Sequence, residues 1–196
     1  MTDFEFLFAL FGLLFALIVA EVSLKFADAI DLNMERPMGV LTPTLAFLLL
    51  TDVTNFWLFI WSGRHVLKVS WPAVYSGVLF AVLYLVAASL IFPRSKRSWR
   101  HLDEHYWSRK RFVAGAMLIV NLFLDGALLT RATPQWNDLW FYFYFPSYAL
   151  ALGALVLSRS KRLDCLFLGW AIFVNLSAGF SLLPHSRFGT QLLLGT

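Results

Sequence analysis

The chain has 196 residues, of which 59% are hydrophobic and 14% charged, and a formal charge of +4. A soluble fold of this length would lack the polar surface to cover itself. Apolar runs without period-2 alternation exclude an outer-membrane barrel. The composition predicts an all-α polytopic membrane bundle, one transmembrane domain over residues 1–196.

A hydrocarbon core of about 30 Å takes about 20 apolar residues of helix. Six segments meet that length, at approximately 5–26, 40–62, 70–92, 112–130, 139–157 and 164–183. The first opens Met1-Thr2-Asp3-Phe4-Glu5, without the positive n-region of a signal peptide, and reads as the first span. On it Gly12, Ala16 and Ala20 form a small-residue ridge that would admit a second helix closely. Towards its end Glu21, Lys25 and Asp28, spaced by four and three, share one face and predict an ion-pair ladder.

Pro37 and Pro43 bracket the entry to span two, and Asp52 lies near the middle of that span, within Thr51-Asp52-Val53-Thr54-Asn55. An acid at the bilayer centre costs roughly 2.5–3.5 kcal/mol on insertion scales, so it needs a partner or a purpose. Asn121 of span four and Asn175 of span six fall at about its depth, and Asp125, one turn beyond Asn121, approaches the depth of Asn55. If spans two, four and six are neighbours, Asp52, Asn55, Asn121, Asp125 and Asn175 form one buried polar cluster. Such a cluster either glues helices together or binds a cation or relays a proton.

Pro72 suits the first turn of span three, and Pro93 and Pro184 follow span ends. From Pro93 to Arg111 the chain carries seven Lys or Arg residues, with Trp99, Leu102 and Tyr106 at helical spacing. This predicts a short amphipathic helix on the inner surface, leading into span four, whose basic residues Arg94–Arg111 meet anionic lipid headgroups. His101 and His105 have the i, i+4 spacing of a metal pair, without further ligands nearby, and no metal site is assigned. His65 and His185 both fall at the outer surface.

In span five, Pro146 should kink the helix. The run Trp140-Phe141-Tyr142-Phe143-Tyr144-Phe145 is denser than an interfacial aromatic belt requires and is a candidate lipid- or partner-facing strip. Cys165, the single cysteine, reads as a small buried residue near a helix end. No sequence feature names a cofactor, and no catalytic residue is assigned: H-E-x-x-H and G-x-S-x-G are both missing.

Twelve Lys or Arg residues lie in joints one, three and five and four in the remaining joints and tail. The excess marks the cytoplasmic side, which puts both termini outside. The positive charge is then a topology signal and asks for no nucleic-acid partner.

Phe4-Glu5-Phe6-Leu7 before a long apolar helix, and Phe92-Pro93 followed by His105-Tyr106-Trp107-Ser108-Arg109-Lys110-Arg111-Phe112, resemble segments of a group of small bacterial six-helix membrane proteins. The resemblance implies architecture alone. The polar pair usual late in their first span stands here as Ala20-Glu21.

Together these features predict a protein of the bacterial inner membrane that handles an ion or solute at Asp52. The alternatives are an accessory or structural subunit of a larger membrane complex and, third, an intramembrane enzyme. The partners expected are the bilayer and either further copies of the chain or a membrane complex. Orientation is testable by reporter fusions after Lys68, after Arg97 and at Thr196. The first and last should report the outside and the second the cytoplasm; a cytoplasmic signal at Thr196 would overturn the topology.

Overall fold

A computed structural model describes residues 2–33, 39–62, 69–93, 102–130 and 133–184. In chain order the helices are α1 (Asp3–Asn33), α2 (Leu41–Ser62), α3 (Trp71–Ile91), α4 (Leu102–Leu129), α5 (Leu139–Tyr144), α6 (Pro146–Leu157) and α7 (Lys161–Gly179). No strand occurs among the described residues. Six helical units are long and apolar enough to cross a membrane, α5 and α6 together forming the fifth.

Two spans extend further than their apolar cores. Nothing between Gly12 and Asn33 breaks a helix, so α1 continues past residue 26 and carries Lys25 and Asp28 with it. The charged stretch before span four behaves likewise. The separate amphipathic surface helix predicted there is not formed by residues 102–111, which are the opening turns of α4. No Gly or Pro interrupts them, and Tyr106 and Lys110, 1% and 2% exposed, point into the protein. Residues 94–101, with Trp99 and most of the basic cluster, lie outside the described residues, as do His65, His101, His185 and Pro37. At 31 and 28 residues, α1 and α4 measure roughly 46 and 42 Å at 1.5 Å per residue, longer than a hydrocarbon core.

Local chemistry sets the helix ends. At the start of α1 the Thr2 hydroxyl accepts from the Glu5 N–H at 3.2 Å, while the Glu5 carboxylate accepts from the Thr2 N–H at 2.8 Å. That reciprocal capping box satisfies two orphan donors. Ser70 caps α3 through the Ala73 N–H, and Asp138 caps α5 through the Phe141 N–H at 2.9 Å.

Pro146 divides span five into α5 and α6, because it has no N–H for the carbonyl one turn earlier. The ladder survives on either side: the Phe145 N–H reaches the Phe141 carbonyl and the Ala149 N–H the Phe145 carbonyl, both at 3.0 Å. The Ser147 hydroxyl donates to the Phe143 carbonyl at the break.

The helices pack as a ring in which α1 meets α3, α3 meets α4, α4 meets α6, α6 meets α7, α7 meets α2 and α2 meets α1. From its place in the ring α2 also reaches across to α3 and α4. Leu48 and Leu49 of α2, Met117 of α4, Leu152 of α6 and Leu168 of α7 fill the centre without exposed surface.

Of the predicted ridge on α1 only Gly12 takes part in a close approach, since Ala16 and Ala20 are exposed. The approach of α1 to α3 uses small residues of α3: Gly77, Ala81 and Ala88 are buried on one face with Tyr84. A Cβ on Gly77 would fall inside the Phe11 ring of α1. Gly12 plays the matching part against Trp57 of α2. Cys165 is also placed differently from expectation, exposed on α7 rather than buried. Its neighbour Asp164 takes the inward position, and consecutive helical residues point about 100° apart.

Gly77→Ala should therefore destabilise the bundle. Overpacking costs about 1–3 kcal/mol, against roughly 1 kcal/mol gained from helix propensity. Gly153→Ala, where an added Cβ meets nothing within 4 Å, should be neutral or stabilising. Thermal unfolding in detergent micelles would show the order; a Gly77→Ala protein as stable as Gly153→Ala would refute the close contact.

Candidate functional site

Asp52 is 3% exposed. The Tyr84 hydroxyl of α3 donates to its Oδ2 at 2.6 Å and the Tyr148 hydroxyl of α6 to its Oδ1 at 2.8 Å. The Asn121 amide of α4 donates to both oxygens, at 3.2 and 3.3 Å, and to the Met117 carbonyl of its own helix at 2.9 Å. Around this centre runs a second layer. Asn175 of α7 donates to the Tyr148 hydroxyl at 3.2 Å and to the Thr51 hydroxyl at 3.3 Å. Asn55 donates to the Asn175 carbonyl at 2.9 Å and to its side-chain oxygen at 3.0 Å.

Asp52, Asn55, Asn121 and Asn175 thus meet in one hydrogen-bonded network. Asp125 stands one helical turn beyond Asn121, on the wall of the same cavity, and makes no hydrogen bond to another described residue. Spans two, four and six do not enclose the network by themselves. Span five lies between α4 and α7, and its Tyr148 joins Asp52 to Asn175. The two tyrosines are the residues that sequence reasoning missed. Their signal was depth: Tyr belongs at membrane interfaces, whereas Tyr84 and Tyr148 fall near the middle of Trp71–Ile91 and Leu139–Leu157.

The network forms the floor of a cavity of about 500 Å³. Its walls continue through Trp61, Leu128, Trp140 and Gly179, at the ends of α2, α4, α5 and α7 remote from the basic joints. Of the aromatic run expected to face lipid or a partner, only Tyr142 is exposed. Trp140, Tyr144 and Phe145 line the cavity, Phe141 is buried, and Phe143 packs against Trp170 and Phe173. Six consecutive helical residues cover every direction around the axis, so a run of that length cannot present one face. Tyr144 also donates to the Ser177 carbonyl at 3.1 Å.

At the opposite end a different polar group closes the bundle. The Lys110 ammonium lies 2.5 Å from Asp164 Oδ2 and donates to the Ser158 carbonyl at 2.7 Å, with the Trp107 ring centroid 4.4 Å away. Tyr106 donates to the same Asp164 oxygen at 2.8 Å. Lys110 is therefore engaged inside the protein and is not one of the headgroup-facing basic residues. Asp103 holds the start of α2 through the Leu41 N–H at 3.2 Å and the start of α7 through Lys161 at 3.0 Å. Gly39, at φ +70, leaves room for that carboxylate, which an added Cβ would strike. A His105 ring nitrogen is 2.8 Å from the Leu90 carbonyl.

The predicted ladder on α1 is absent as such: among the described residues the ion pairs are Lys110–Asp164 and Lys161–Asp103, and none joins Glu21, Lys25 or Asp28. Glu21 and Lys25 are half-buried and Asp28 exposed, and exposed pairs gain too little to hold two long side chains together. Among the described residues no group of three or more His, Cys, Asp or Glu is placed to hold a metal ion.

These features define a polytopic helical bundle whose six apolar spans are compatible with a membrane protein, with a cavity that is polar at its floor, largely apolar at its walls and open towards one end. No protein family, curated protein or solved structure matches the chain.

The Lys110–Asp164 pair is testable by a double-mutant cycle. Breaking a buried pair by Lys110→Met or Asp164→Asn should cost about 3–5 kcal/mol, and removing both charges should restore much of that. Additive losses in thermal unfolding would show that the two side chains are not coupled.

Proposed function

We propose that the chain is an integral protein of the bacterial cytoplasmic membrane that handles a small ion or solute at the cavity above Asp52. Both termini and the cavity mouth lie on the non-cytoplasmic side, a placement that rests on the excess of Lys and Arg in joints one, three and five. One observation carries the functional reading: an ionisable side chain buried halfway along a membrane-length helix lies at the floor of a cavity that reaches one end of the bundle. Acidic groups at membrane depth mark ion and solute pathways more often than they serve packing alone.

A second reading, an accessory subunit of a larger membrane complex, is favoured by one feature. Between α6 and α7 an apolar groove of about 670 Å³ faces outward, lined by Ala151, Ala154, Gly169 and Trp170. Small residues of this kind let helices from another chain approach closely. Purification in mild detergent separates the two: a stoichiometric hetero-complex supports the subunit, and a homo-oligomer on its own supports transport. The intramembrane enzyme, third in order, has no observation of its own in its favour.

Substitution at Asp52 tests the leading proposal in proteoliposomes, with protons, Na⁺, K⁺ and small organic solutes as trial substrates. Asp52→Asn keeps shape and hydrogen-bonding capacity but removes the ionisable group. It should abolish flux while the protein still folds. Asp52→Leu should also destabilise the bundle, because it strands the buried Tyr84 and Tyr148 hydroxyls at about 1–3 kcal/mol for each buried group left unsatisfied. Full flux through Asp52→Asn would reduce Asp52 to a structural bond.

A further inference from the structure

We propose that the cavity takes an organic monocation, an amine or quaternary ammonium with an apolar body, in preference to a bare metal ion. This rests on the reading of the cavity as a ligand site and names the class of ligand.

Charge comes first. Two carboxyl side chains, Asp52 and Asp125, line the space, and among the described residues that line it there is no Lys, Arg or His. The three side chains donating to Asp52 are all neutral. No described residue that lines the cavity balances these acids, so a cation is the guest complementary to the described lining. Asn55 spends its amide N–H groups on Asn175, which leaves its oxygen beside Gly179 as a further acceptor.

Size and wall chemistry decide what kind of cation. A water occupies about 30 Å³, whereas this cavity is about 500 Å³, within the range of about 300–1,000 Å³ typical of small-molecule sites. Phe56, Trp61, Trp140, Tyr144 and Phe145 supply its aromatic surface. Such rings cannot replace the oxygen shell of a hard metal ion, but they attract an ammonium through their faces and cover an apolar body. Trp140 packs edge-on to Tyr144 at 5.2 Å between centroids and at 5.7 Å from Phe145, a continuous aromatic wall beside the acids.

Trp61 and Trp140, two of the chain's eight tryptophans, line the cavity, so intrinsic fluorescence is sensitive to its occupancy. Purified protein in neutral detergent is titrated with benzyltrimethylammonium chloride, and in parallel with sodium chloride, potassium chloride, benzyl alcohol and sodium benzenesulfonate at matched ionic strength. The expected result is a saturable change and a raised melting temperature with benzyltrimethylammonium alone. Asp125→Asn should weaken that binding ten-fold or more, and Trp140→Leu several-fold, which keeps the test alive if the Asp125 variant fails to fold. Equal binding of benzyl alcohol or benzenesulfonate, or affinity for benzyltrimethylammonium unchanged in both variants, overturns the proposal. A saturable response to sodium or potassium that benzyltrimethylammonium does not displace overturns it too, yet leaves Asp52 as an inorganic-ion site. No response to any probe, together with flux indifferent to Asp52→Asn, removes both readings.

Discussion

A carboxyl group only 3% exposed at the middle of an apolar helix is largely cut off from solvent, so the protein must supply its donors. Here that requirement organises the bundle. Meeting the two oxygens of Asp52 brings in Tyr84 from α3, Asn121 from α4 and Tyr148 from α6, and Tyr148 in turn engages Asn175 on α7. Five of the seven helices are thus joined through one side chain and its immediate partners. Each such bond in a membrane contributes only about 0.6–2 kcal/mol. Their joint effect is chiefly positional: a rotation of α3 or α6 that broke one bond would also move a large ring away from the core. Apolar packing between helices has no comparable directionality, because lipid tails satisfy a Leu side chain as well as another helix does.

The opposite end meets the requirement only in part. Lys110 and Asp164 are both almost without exposed surface, and a buried pair of charges needs further groups to satisfy it. Tyr106 adds a second donor to Asp164 Oδ2 and the Ser158 carbonyl accepts from Lys110, while Asp164 Oδ1 has no partner among the described residues. Asp103 then fastens the starts of α2 and α7 to the start of α4. The first turns of α4 therefore close the basic end, and the aromatic wall surrounds the open one. A bundle tied at one end by ion pairs and hollow at the other has two unlike ends.

How much of this was legible in the sequence depended on whether the signal was local. Length and hydropathy marked six spans, and Pro146 marked the break in the fifth. Asp52 stood out because an acid inside an apolar run has a single-residue signature. Its Asn partners could be found by comparing depth along separate spans. Tyr84 and Tyr148 share their chemistry with other aromatic residues in a chain with 20 Phe, 8 Trp and 6 Tyr, and only their depth in the spans sets them apart. Lys110 was hidden differently. Within Arg109-Lys110-Arg111 the three side chains look equivalent, and only the rotation of α4 against α6 and α7 turns the middle one inward. The α1 ridge held only at Gly12, since small residues permit close approach but do not say which face is approached.

Asp125 shows why the two acids need not have the same role. Asp52 has its oxygens occupied by hydroxyl and amide donors, so a guest reaching it must share an already ordered site. Asp125 belongs to the same face of α4 as Asn121, one turn nearer the mouth, and its wall position leaves it open to the cavity. On the proposed reading, a cation entering from that end would meet Asp125 and the aromatic wall before Asp52. The outer acid would then serve recognition. The inner one, bonded to Tyr84 and Tyr148, would couple occupancy of the cavity to α3 and α6.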